Sequence, residues 1–151
     1  MRSAILMVLL MALGLTAVPL RAASPGDTPD QQTIDALTAK ANQAQPRDQC
    51  YLYAEIMRDM TELSLRQYAA GNVAKASDLL KQIQELSRKI HLSVTDNDKR
   101  LKNAEILLSR TAFRLTEMLQ SSDYQEQPLI RQTIADVNQA QNAALMQVFS
   151  K

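Results

Sequence analysis

Between Cys50 and Ile90 apolar residues return every three or four positions, and the pattern breaks once. Wound at 100° per residue, Leu52, Tyr53, Ile56, Met57, Met60, Leu63 and the small Ser64 fall on one wide stripe. Val73, Ala76, Leu79, Leu80, Ile83, Leu86 and Ile90 form a second stripe. These stripes predict two helices, from Asp48 to Ala70 and from Asn72 to His91, each about 30 Å long at 1.5 Å per residue. With only Gly71 and Asn72 at the junction, the two fold back antiparallel. A further helix carries Leu101, Ala104, Leu108, Thr111, Leu115 and Met118, with Thr95 as its cap and Asp98 three residues on. The last opens at Pro128, whose missing amide proton suits a first helical position, and aligns Ile130, Ile134, Val137, Ala144 and Val148. A shorter helix with a thin apolar face, Ile34, Leu37 and Ala41, opens at Thr28 or Asp30 and is ended by Pro46. The expected fold is all-α: an antiparallel up-down bundle of four long helices plus a short N-terminal helix.

The first residues follow another rule. "MRSAILMVLLMALGLTAVPLRAA" has a basic start at Arg2, an apolar run from Ala4 to Val18 and a small-residue exit, which reads as a secretory signal peptide cleaved after Ala22. The alternative is a retained anchor, although the run is shorter than the roughly 20 residues that span a bilayer. The expected organisation is therefore a signal peptide over 1–22, a polar leader and short helix over 23–47, and the bundle over 48–151. The product is exported, periplasmic or secreted, with no transmembrane span after processing.

Charge narrows the partners. Of 17 basic and 16 acidic residues the signal peptide takes two basic ones and no acidic one, so 15 face 16 and the processed chain carries a formal −1. That is no nucleic-acid binder. A single cysteine, Cys50, forbids an internal disulfide, and stability must come from packing.

"LRQYAAGNVAKASDLL", Leu65 to Leu80, has the turn of a single tetratricopeptide-type hairpin. A 34-residue shift lands on Glu105 and Arg110 in one direction and on Leu37 and Asn42 in the other, so there is no second copy and the stretch is a connector. The blocks "CYLYAEIMRDMTEL" and "DKRLKNAEILLSRTAFRL", with "AAGNVAKA" and the closing "QVFSK", resemble a family of small exported all-helical bacterial proteins without assigned activity. The resemblance implies an all-helical secreted domain and no catalytic residue.

Three candidate sites follow. Antiparallel connectivity gathers Arg47, Arg88, Lys89, Lys99, Arg100, Lys102 and Lys151 at one end against Asp48, Asp96 and Asp98. Lys99, Arg100 and Lys102 sit in the positive first turns of a helix, where a cation costs a few tenths of a kcal/mol (~0.3) and where an anion-facing surface would explain them. Surface charge balanced by the aspartates is the plainer alternative. Cys50, in a first helical turn near His91 at best, is the second candidate: a reactive thiol favoured by helix amides and cations, or an intermolecular bridge if exposed. Third, Ile106 and Phe113 fall opposite the seam of their helix, and either the short helix docks there through Ile34 and Leu37 or a second protein does.

"TDNDKRLKNAE" begins like a calcium loop but has Leu101 where the turn needs glycine, so no metal site is expected. No cofactor is expected either, since Met57, Met60, Met118 and Met146 stand at or beside core positions, where packing is the default role. The expected function is a non-enzymatic interaction or scaffold module of the cell envelope, with a protein partner or envelope component and a possible homo-oligomer. The alternatives are a thiol-dependent or redox protein using Cys50 and a periplasmic chaperone-like binder.

Overall fold

The computed structural model describes residues 28–93 and 98–149, with side chains over 28–90 and 99–149. The signal peptide and the Thr95 cap lie outside the described residues. Within them the chain is all-helical, five helices and no strand: α1 (Gln31–Gln43), α2 (Pro46–Ala69), α3 (Val73–Ser93), α4 (Asp98–Ser121) and α5 (Gln127–Phe149).

Local chemistry sets most boundaries. Asp30 caps α1, its Oδ1 accepting from the Thr33 amide at 2.8 Å. Pro46 opens α2 as its first residue rather than merely ending α1, and Gln45 precedes it without a side-chain cap. Asp48 is thus not the cap but the third residue of α2, free to meet cations. Pro128 lies one residue inside α5, which begins at Gln127.

The turn after α2 is a Schellman motif: the Asn72 amide donates to the Gln67 carbonyl at 2.8 Å and the Gly71 amide to that of Tyr68 at 2.9 Å. Gly71 has φ +79°, and a methyl group there would meet nothing within 4 Å. The cost of Gly71→Ala is therefore backbone strain alone, about 1–2 kcal/mol in a denaturation midpoint series. A loss under a few tenths (~0.3 kcal/mol) would show that the turn relaxes instead.

Cross-helix bonds show the packing. Asp48 and Arg100 meet at 3.1 Å near the starts of α2 and α4, and Glu62 and Arg114 at 2.7 Å further along, so these two helices run parallel. Ser77 donates to Glu126 at 3.2 Å and Gln84 to Thr133 at 3.0 Å, which makes α3 and α5 parallel as well. Direction alternates along the chain, yet α3 and α4, consecutive in sequence, make no packed contact among the described residues. The α2–α3 hairpin lies beside the α4–α5 hairpin, and like-directed helices are neighbours.

The core lies between them. Ile56, Met57, Leu80, Ile83, Leu108, Leu115, Met118 and Val137 are fully buried. Thr61, Ser87 and Thr111 are buried too, each hydroxyl donating to a carbonyl one turn back, and Ser64 donates across to the Ala76 carbonyl of α3 at 3.1 Å. Such internal satisfaction lets hydroxyls line a seam without a desolvation penalty.

The short helix docks elsewhere than expected. α1 lies along α2, with Ile34 buried at a notch shared by Met60 of α2 and Leu86 of α3. Arg66 donates to the Pro29 carbonyl and Gln49 to that of Ala41, which sets α1 antiparallel to α2. The docking of α1 over Ile106 and Phe113 is corrected: α2 and α3 form a groove that takes Ile34, and α1 makes no packed contact with α4 among the described residues.

Candidate functional site

The cationic end is built from the first turns of two parallel helices. Asp48 Oδ1 stands 3.1 Å from Arg100 Nη1 and 3.8 Å from Arg47 Nε, so one carboxylate is shared by two guanidinium groups. Lys99 and Lys102 are exposed in the opening turns of α4, where the helix dipole disfavours them. Arg88 and Lys89 are exposed as well, in the last turns of α3, and Lys89 lines the notch beside Ile34 of α1. The expected cluster is thus met in part: Arg47 and Arg100 meet at Asp48, Lys99 and Lys102 share the opening turns of α4 with Arg100, and Lys89 stands beside α1. Asp96 and Lys151 lie outside the described residues, as do the side chains of Asp98 and His91. Tyr51 senses this end. Burial and then the charge of Glu55 raise its phenol above the usual range, against a lowering pull from Arg58 and Arg100.

Three apolar side chains join these cations, and the helical pattern alone had not singled them out. Leu145 is 37% exposed, Met146 74% and Phe149 75%, all in the last turns of α5. Met146 is therefore not a core methionine, unlike Met57, Met60 and Met118. The signal was present in the spacing. Ile130, Thr133, Val137, Ala140 and Ala144 complete a buried seam, and Leu145, Met146 and Phe149 lie about 100° or more round the helix from it. Gln141 donates to Glu105 at 2.9 Å, and that antiparallel register brings Lys102, one turn on, level with Leu145. Cations and exposed apolar groups share one end.

No protein-family model, curated protein or solved structure matches the chain. Its reading therefore rests on its own geometry.

Cys50 is 3% exposed, and burial pushes its thiol up to about 11 from an ordinary 9.0. The expectation of a thiolate favoured by helix amides and cations is corrected, because desolvation outweighs them. The exposure that an intermolecular bridge requires is also missing. Among the described residues no group of three His, Cys, Asp or Glu is placed to hold a metal ion, and no helix is long and apolar enough to cross a membrane.

Ile106 and Phe113 are 46% and 64% exposed on the outer face of α4, the direction their spacing indicated. Phe113 rims a shallow cavity of about 260 Å³ between α2 and α4, lined also by Arg58, Glu62, Arg110 and Arg114. Two of those arginines are already engaged. Arg58 donates to the buried Asp59 at 2.8 Å. Arg114 donates to both oxygens of Glu62, at 2.7 and 2.9 Å, and to Glu117. The Arg114 hydrogen bonds hold the Glu62 carboxyl below its usual range despite partial burial. This fork was not legible from sequence, because the partners are 52 positions apart.

Proposed function

We propose that the chain is an exported, non-enzymatic contact module of the cell envelope, a bundle of four long helices with α1 strapped along α2, whose cationic end meets an anionic partner surface. The signal-peptide pattern and the resemblance to small exported helical proteins support the location. One observation carries the contact reading: Arg47, Lys99, Arg100 and Lys102 converge where two helices begin, a position whose dipole disfavours cations, and Arg47 and Arg100 share a single aspartate. Cations gathered at this end outnumber the aspartate that Arg47 and Arg100 share, and their summed field draws an anion from outside the chain.

Retention on a phosphate-bearing resin tests this. The processed chain is formally negative overall, so binding at low salt requires a local cationic surface, and it should fade near ~0.15 M salt, where the screening length is about 8 Å. Lys99→Glu with Lys102→Glu should abolish retention while leaving the fold intact, and stability should rise by a few tenths of a kcal/mol (~0.3) per site, since acids suit a helix start. Unchanged retention would refute the contact surface.

A further inference from the structure

The cationic end also presents large apolar side chains to solvent, and phosphate recognition alone does not need them. Leu145, Met146 and Phe149 project from the last turns of α5, beside α4, whose first turns carry Lys99, Arg100 and Lys102. Exposed apolar groups beside cations match the layered chemistry of a membrane surface, where phosphates lie over the acyl boundary.

We propose that this end docks on an anionic lipid bilayer, with Leu145, Met146 and Phe149 entering the boundary between headgroups and acyl chains while Lys99, Arg100 and Lys102 hold lipid phosphates. The proposal rests on the cationic contact surface described above and names its partner. Lysine and arginine stems lie along apolar surface and keep their charged heads at the phosphate level, so the cations and the apolar groups can engage one bilayer together. Phe113, an exposed aromatic on α4, has different neighbours. Arg58, Arg110 and Arg114 line the cavity it borders, but Arg58 is paired with Asp59 and Arg114 with Glu62 and Glu117, which offsets their pull on an anionic membrane.

Sedimentation of the purified full chain with vesicles tests the proposal, using phosphatidylglycerol mixed into phosphatidylcholine against phosphatidylcholine alone. Retention on the mixed vesicles and not on the neutral ones is expected. Met146→Ser with Phe149→Ser should weaken that binding about tenfold or more while leaving retention on the phosphate resin unchanged. Phe113→Ser should alter neither, and circular dichroism would show the helices of every variant intact. The lipid proposal is overturned if the resin retains the chain but the mixed vesicles do not. Equal vesicle binding by the Met146 and Phe149 variant, or an equal loss with Phe113→Ser, overturns it too. Failure on the resin itself would refute the cationic surface beneath it.

Discussion

Ile34→Ala is expected to lower the unfolding free energy by about 2–4 kcal/mol. Ile34 is 1% exposed, and its side chain is the principal apolar anchor of a helix with only two buried residues, the other being Ala41. Its removal takes three carbons from a notch of about 210 Å³ that Met60 and Leu86 also line. The notch is open on one side, so its walls can partly close over the loss, which keeps the expected cost below the top of the range. Denaturant titration measures it. Combination with Leu86→Ala should be non-additive by about 0.5 kcal/mol or more, because both residues face the same space. Combination with Phe113→Ser should be additive to within ~0.5 kcal/mol. The opposite pattern, coupling to Phe113 and independence from Leu86, would place α1 over the outer face of α4.

The second large effect concerns Cys50. A thiol raised from 9.0 to about 11 holds roughly a hundredth of the usual thiolate at neutral pH. Alkylation of the folded protein should therefore run about 100-fold or more slower than in denaturant, and burial slows it further. A stability limb follows as well. The folded state keeps the proton that the unfolded chain releases near 9.0, so this contribution is complete below pH 9 and is lost as the pH climbs towards about 11. The loss amounts to about 2–3 kcal/mol at the upper end. Cys50→Ala should remove that limb and flatten the alkaline decline of the denaturation midpoint. Rapid labelling of native protein at pH 7 would contradict the burial on which both expectations stand.

The candidate surface was legible in parts. Lys99, Arg100 and Lys102 announced themselves by occupying a helix start, a local feature that one stretch of chain contains in full. Ile106 and Phe113 were visible as residues off the seam, and both are exposed. Met146 stands beside core positions in the pattern yet is exposed, since a methionine at the end of an apolar pattern suits either role and only the position of neighbouring helices distinguishes them. Cys50 misled in the other direction. Its place in a first turn suggested activation, whereas burial reverses the shift, and the structure sets the depth of burial.

Periodicity decided the helices, because three- and four-residue spacing acts within a single element: the stripes of α2, α3 and α4 are buried where the spacing put them, except for Val73, which is half-buried at the start of α3. Gly71 marked its turn for the same reason, since one residue needs positive φ. The tertiary structure alone decided that α2 lies beside α4 rather than α5, that α1 straps α2, and that Arg114 forks onto Glu62. A stripe of apolar side chains must be covered, but it does not specify by which helix. That choice depends on how complete surfaces interlock, and a burial energy that is non-directional carries no address.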